Sequence, residues 1–330
     1  MNLSENTVIV ATVTYGNRWN YLSKLLLTVQ KFPEVSELLV VDNGCEYNLE
    51  GKISSLNMLK KVNIVKNKEN LGSAGGYHQV MDTVQGKIEK NLLLLDDDNL
   101  PEETIFQNLK KDGKSVLADN NNVIAFYRER YFRKIFANNM VLNKKQYINT
   151  YCKFSFLHKL FPRLYFKTDI TGQNKFRKCI YSQYSGLLFP ISLLSKVGLP
   201  NCDYYLYVDD TDFTYRITQA NYNIMVYKDG VINEMEFSWA QKSEQEEIDP
   251  YKAIFSSEKA INGLYYIRNR VFFEKKFLVK NRTIYLINGF IYLIATFLLY
   301  MPKNIFGLRR FWEVVKAVRM GIHGDLGSGL

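Results

Sequence analysis

Over the first 112 residues, short apolar runs alternate with stretches of helical spacing. Residues 8–13 are a β-branched run ending at Thr14-Tyr15-Gly16-Asn17. Residues 19–29 then place Leu22, Leu25, Leu26 and Val29 on one helical face, and Pro33 predicts the stop. Residues 38–41 form a continuous apolar strand closed by the turn signal Asp42-Asn43-Gly44. A further short strand is expected at 62–65, followed by the glycine-rich stretch 70–76 and a helix around 78–84. Residues 92–95 are four leucines running into Asp96-Asp97-Asp98. Wholly apolar short strands between helices predict a parallel sheet buried on both faces. Such sheets place ligands at the carboxyl ends of their strands, where Thr14, Asp42, the glycines and the acidic triplet all fall.

Beyond residue 112 the pattern changes. Residues 113–180 are basic and aromatic without a clear period, which fits either a substrate-facing insertion or a membrane-facing surface. Regular structure is expected again at 185–189 and 204–208. Asp209-Asp210-Thr211-Asp212 then opens a helical pattern through Phe213, Ile217 and Ala220, and acidic groups suit a helix N-terminus. Residues 283–301 contain no charge and are bracketed by Arg282 and Lys303. A transmembrane helix needs roughly 20 apolar residues, but Asn288, Gly289 and Thr296 weaken that reading, and two basic flanks give no orientation. A helix lying in the interface against anionic lipid is one alternative, and burial within the protein is another. Residues 311–320 are amphipathic and basic.

Length allows about two domains of roughly 150 residues. With 47% apolar and 23% charged residues, disordered, collagen-like and disulfide-scaffold chains are excluded. The net charge of +10 suggests nucleic acid, but its distribution argues against it. Residues 259–330 hold 12 Lys/Arg against 3 Asp/Glu, and residues 113–180 hold 14 against 3, so the rest is acidic. Cys45, Cys152, Cys179 and Cys202 form no metal-like pattern and read as buried free thiols of a reducing compartment. The N-terminus has neither a basic region nor a long apolar core, so no signal peptide is expected and the cytoplasm is the expected location.

The triplet carries the strongest chemical signal. Three carboxylates ending a buried strand repel one another, so a cation is expected there. Oxygen ligands suit Mg²⁺ or Mn²⁺, and such an ion would stabilise a diphosphate leaving group; a solvated turn before Pro101 is the plainer alternative. Glycine-rich residues 70–76 let backbone approach a nucleotide closely, although they match neither a dinucleotide fingerprint nor a Walker loop. Asp42 is placed either to bond a ribose or base or simply to form its turn. Asp209, Asp210 and Asp212 offer a general base or a helix cap. His78, His158 and His323 form no zinc pattern or triad, which leaves carboxylates as the acid–base groups.

Taken in order, VTYGNR (13–18), VVDNG (40–44), ENLGSAGGY (69–77), LLLLDDD (92–98), SGLLFP (185–190) and YLYVDDTDFTYR (205–216) resemble family 2 glycosyltransferases of the GT-A fold. The Gly-x-Ala-Gly-Gly form and the Asp-Asp pair after an aromatic strand at 204–208 are most similar to bacterial galactofuranosyltransferases and then rhamnosyltransferases, and YYIRNR (265–270) resembles a segment found after their catalytic domain. The resemblance implies an α/β Rossmann-like, mostly parallel sheet flanked by helices over residues 1–240, with 113–180 as an insertion on the acceptor side. Residues 241–330 would be a helical, membrane-associating extension.

It also implies roles. Thr14, Tyr15, Arg18, Asp42, Asn70, Gly72, Gly75 and Asp97 would contact the nucleotide-sugar donor. Asp96 and Asp98 would hold Mn²⁺ or Mg²⁺. Asp210 would be the base and Asp209 would orient the acceptor, with inversion at the anomeric carbon. Relatives often carry a metal-binding histidine some twenty residues further on. Here GVINEMEF (230–237) has none, so Glu234, Asn233 or Glu236 would substitute. The implied function is transfer of galactofuranose from UDP-galactofuranose to a lipid-linked or cell-surface polysaccharide such as a capsule or O-antigen, at the inner face of a bacterial plasma membrane. dTDP-rhamnose or a UDP-hexopyranose is the alternative donor. A nucleotidyltransferase or a non-catalytic sugar-nucleotide-binding module is the alternative class. No nucleic-acid partner is expected, and self-association is left open.

Overall fold

The computed structural model describes residues 1–137, 140–141, 144–168, 175–236, 241–243, 246–247, 254–255, 260–300 and 307–330. The chain divides into two compact units: Met1–Val141, Thr168–Cys202 and Asp209–Glu236 form the first, and Leu142–Lys167, Asp203–Val208 and Phe237–Leu330 the second. The basic aromatic stretch 113–180 is thus shared between them.

In the first unit, β1 (Val8–Gly16), β2 (Val35–Cys45), β3 (Lys61–Lys66) and β4 (Asn91–Leu94) pair in parallel, in the order β3-β2-β1-β4. All four residues of β4 are buried, as its unbroken apolar run predicts. The sheet continues through β8 (Leu187–Pro190), antiparallel to both β4 and β6 (Asn122–Tyr127), and then through β9 (Asn223–Glu234), parallel to β6. The edges of β9 bind β5 (Asn99–Pro101) and β7 (Phe176–Cys179), both antiparallel.

Helices α1 (Trp19–Val29), α2 (Gly72–Val84), α3 (Ile105–Asp112) and α4 (Asp209–Gln219) complete the unit. The predicted face of α1, namely Leu22, Leu25, Leu26 and Val29, is buried, and the helix ends before Pro33. Those residues join Val10, Leu38, Leu93, Phe106 and Ile124 in one apolar core. This is the expected mostly parallel, helix-flanked α/β fold.

The second unit holds α5 (Ala260–Phe277), α6 (Arg282–Tyr300) and α7 (Gly307–His323). Its core gathers Ile267, Val271, Tyr285, Tyr292, Val314 and Ala317 with Tyr151. At its centre Arg270 Nε donates to Glu274 Oε1 at 2.7 Å, both side chains being essentially inaccessible. The backbone N–H of Cys152 also donates to Glu274, at 2.9 Å.

Residues 204–208 correct the sequence expectation, for they are not a strand. Tyr205, Tyr207 and Val208 have φ of 59°, 67° and 69°, a left-handed region that β-branched residues rarely enter. Asn269 Nδ2 takes the carbonyls that a ladder would have used, donating to Tyr204, Leu206 and Tyr207 at 2.8–2.9 Å. The four cysteines are unpaired, as expected, but only Cys152 and Cys179 are buried, and Cys202 is exposed. Met301 and Lys303, at the end of the expected apolar segment, lie outside the described residues.

Candidate active site

The predicted residues converge at the carboxyl ends of the parallel strands. Register alone sets Thr14 of β1 beside Asp42 of β2. Leu94 ends β4 opposite Ala11, and the triplet follows immediately. Strand β9 returns to the same edge, pairing Glu234 with Asn99, and the Met235 N–H donates to the carbonyl of Asp98 at 2.8 Å. Glu234 and Glu236 therefore sit beside the triplet although more than a hundred residues separate them in sequence.

Two arginines clamp these acids. Arg18 Nε donates to both oxygens of Asp97, at 2.8 and 2.9 Å, and its guanidinium also pairs with Asp98 at 3.1 Å and with Glu236. The Arg18 plane lies 5.3 Å from the ring of Tyr15 and 5.2 Å from that of Tyr21. Arg128, just past the end of β6, is buried and bonds Glu234 at 2.7 Å and Asp96 at 3.3 Å. Sequence reasoning assigned Arg18 to the donor and missed Arg128. A lone arginine in a basic stretch carries no signal until the sheet brings it beside the acids.

These cations do not balance the carboxylates. Burial, with Asp96 and Asp97 adding repulsion, pushes Asp98 up to about 7. Burial pushes Asp97 up to about 6 against the pull of Arg18. Ser185 Oγ donates to Asn99 Oδ1 and accepts the Asp96 N–H at 3.4 Å, while Asn99 Nδ2 donates to Asp98 at 2.8 Å. The SGLLFP motif thus braces the triplet.

The glycine stretch is the turn into α2. Gly72 has φ of +69°, which favours glycine there. Gly76 packs on β1, where an added Cβ would meet Val13 Cγ1 at 2.5 Å, and at Gly75 it would meet Leu71 Cβ at 2.4 Å. Part of the glycine signal is therefore packing. Asn43 organises the loop: its amide donates to Asn70 and to the Gly72 carbonyl at 3.1 and 3.0 Å, and its Oδ1 accepts from Leu71 N and Asn67. Asp42 Oδ1 accepts the N–H groups of Gly44 and Cys45, so one of its oxygens forms the turn.

Helix α2 links the motifs. Ser73 Oγ lies 3.2 Å from both oxygens of Asp209. One turn on, the Tyr77 hydroxyl donates to Asp96 at 2.7 Å. Ser73, Tyr77 and Asn43 were given no role of their own, although each lies inside a recognised motif. Asp209 is buried, and burial together with the charge of Asp210 holds its carboxyl well above the usual range. Asp210 is more open, and its Oδ1 accepts the Thr211 N–H at 2.5 Å. Asp212 is committed to Arg216 at 2.8 Å and is structural. His78 bonds the Pro200 carbonyl through Nδ1 at 2.8 Å and is no catalyst.

Residues 8–168 match the family described as glycosyl transferase family 2. That match covers just under half of the chain. No curated protein matches the chain by sequence. Its fold is that of solved GT-A enzymes. A mannosyltransferase from Pyrobaculum calidifontis, solved with GDP-Man and Mn²⁺, aligns at TM-score 0.51 and 14% identity over 97% of this chain and 88% of its own. GalNAc-T7, solved with UDP, GalNAc and Mn²⁺, aligns at TM-score 0.53 and 12% identity over 83% of this chain. The chain spans about half the length of that second protein, 48%.

The donor set of the triplet suits a hard divalent cation. It is made only of oxygens, carries surplus negative charge, and needs just one or two carboxylates if a substrate diphosphate supplies the rest. Among the described residues, no three Asp, Glu, His or Cys side chains converge on one ion position. Glu234, the expected third ligand, is bonded to Arg128 instead.

Proposed function

We propose that the protein transfers a sugar from a nucleoside-diphosphate donor to a lipid-linked glycan at the inner face of a bacterial plasma membrane, with inversion. UDP-galactofuranose is the first donor to test, and dTDP-rhamnose and a UDP-hexopyranose are the next. The observation that carries this reading is the single helix N-terminus that touches both acidic centres, Asp209 through Ser73 and Asp96 through Tyr77. A donor diphosphate laid against the turn at Gly72, where glycine lets the backbone approach closely, would thereby lie between the triplet and the acid pair.

Thr14 and the remaining face of Asp42 would meet the nucleoside, with Tyr15 at the rim. Asp96 and Asp98 would hold Mn²⁺ or Mg²⁺ with the diphosphate, and the ion when bound would supply charge neutralisation to the leaving group. Arg18 holds Asp97 and Asp98 in place. Asp210 takes the proton from the acceptor hydroxyl as its oxygen attacks the anomeric carbon and the nucleoside diphosphate departs. Asp209 orients the acceptor and, through Ser73, ties the pair to the donor loop. The neighbours solved with UDP or GDP-Man and Mn²⁺ support a donor of this class.

The test is a panel of nucleotide sugars with and without Mn²⁺, scored for binding and for slow donor hydrolysis. Wild type binds one donor in a metal-dependent way. Asp210→Asn lowers turnover by about 10²–10⁴-fold and leaves donor affinity unchanged. Full turnover in Asp210→Asn would remove the base assignment. Absence of binding by every donor would remove the transfer reading in favour of a different nucleotide chemistry.

A further inference from the structure

Helix α6 has its polarity reversed relative to a helix of a water-soluble protein. Its buried residues are Tyr285, Asn288, Gly289, Tyr292 and Thr296. Asn288 Nδ2 donates to the Asn149 carbonyl at 2.7 Å, and its Oδ1 accepts the Phe156 N–H at 2.9 Å. Gly289 lets the Tyr151 ring approach to where an added Cβ would stand 2.9 Å away. The outward face is apolar. Leu286, Phe290, Ile294 and Leu298 recur every four residues and so share one side, with Phe290 67% and Leu298 64% exposed. In water such a face is costly to leave open.

A second apolar projection lies in the same unit. The short helices Phe156–Leu160 and Pro162–Tyr165 turn over at Leu160, Phe161 and Leu164, all exposed. This hairpin sits beside the first turn of α6, because Leu157, His158 and Tyr165 line one cavity of about 190 Å³ with Ile284 and Lys145. The same unit exposes many cations. Lys159, Arg163, Lys280, Arg282, Arg309, Lys316 and Arg319 are exposed, and residues 280–330 carry seven Lys/Arg against two Asp/Glu. Exposed apolar side chains together with an excess of exposed cations match the chemistry of an anionic bilayer interface, acyl chains beneath negative headgroups.

We propose that the second unit seats on an anionic bilayer as an in-plane element, with the outward face of α6 and the hairpin tip entering the boundary between headgroups and acyl chains. Helix α6 is long and apolar enough to span, with 19 residues and a mean hydropathy of 1.7. Spanning is opposed by its inner face. Asn288 is hydrogen-bonded at mid-helix to backbone at Asn149 and Phe156, so crossing would draw irregular backbone into hydrocarbon or break those bonds. This reading deepens the membrane-side acceptor proposed above but shares no residue with the donor site, so the two fail separately.

The test is flotation of the full chain, without donor or acceptor, on vesicles of phosphatidylcholine alone and of phosphatidylcholine with phosphatidylglycerol. Binding is expected on the mixed vesicles, weakened by salt and released by alkaline carbonate. Phe290→Asn with Leu298→Asn, and separately Leu160→Ser with Phe161→Ser, should each weaken it about tenfold while far-UV dichroism and donor hydrolysis stay unchanged. The proposal is overturned by absence of vesicle binding, by binding that both variants retain, or by protein that resists carbonate. It is equally overturned if wild type sediments as a dimer that the Phe290/Leu298 variant dissociates, which would give the face to a second copy.

Discussion

Arginine meets buried carboxylate in both units, and the two meetings differ in their balance. In the second unit one guanidinium faces one carboxylate, Arg270 and Glu274, and the N–H groups of Cys152 and Lys153 supply the remaining bonds. There one cation meets one anion. In the first unit Arg18 and Arg128 face Asp96, Asp97, Asp98, Glu234 and Glu236, two cations against five anions. Burial raises the proton affinity of Asp97 and Asp98, as it does that of Glu274, and at Asp98 the repulsion of Asp96 and Asp97 adds to it. A balanced buried pair specifies structure. An unbalanced one at a strand end suits a cationic ligand, such as the metal and diphosphate proposed above.

The comparison breaks first at Glu274. Glu274→Ala leaves Arg270 buried and unpaired, a loss of about 3–5 kcal/mol, read by chemical denaturation. The acidic site should respond with the opposite sign. Asp98→Asn removes one surplus charge, so the metal-free protein melts no lower than wild type, while metal-dependent donor affinity falls at least about tenfold. A drop in stability as large as that of Glu274→Ala would mean that both clusters are structural, and the contrast would be lost.

How much of this was legible beforehand follows the range of the interaction. Strands such as β4 and the face of α1 were legible because periodicity is local. The ends of those strands, with Thr14, Asp42 and the triplet, were legible because parallel sheets fix where ligands go. Arg128 and Tyr77 were not, since each gains meaning only when the sheet sets it against Asp96 across 32 and 19 residues. Residues 204–208 were misread as a strand because aromatic, β-branched composition favours one. The amide of Asn269, some sixty residues on, holds their carbonyls in a conformation that composition does not encode.

A finer test of the open cluster is Ser73→Ala. It removes the hydroxyl from the buried carboxylate of Asp209. Stability should fall by about 1 kcal/mol, the usual net worth of such a bond, with donor hydrolysis reduced more than donor binding. An unchanged ratio of the two would show that the link between donor loop and acid pair is packing alone.

The smallest effect separates the units by pH. His158 lies against the rings of Tyr165 and Phe166, with centroids at 4.2 and 5.5 Å, and burial lowers its proton affinity. Above its ordinary value of about 6.5 the ring is neutral whether folded or unfolded, and it contributes nothing to pH dependence. As the pH falls through that value the unfolded chain takes up the proton first, so the second unit loses stability, by at most about 1.4 kcal/mol per pH unit, until the folded ring also protonates. His158→Phe should abolish this component while keeping the ring contacts. The stability difference between wild type and variant, measured from pH 8 to pH 5, should then be flat above about 7 and turn against wild type below it. A difference flat throughout would show that His158 is solvated, and that the hairpin it anchors is held by its aromatic neighbours alone.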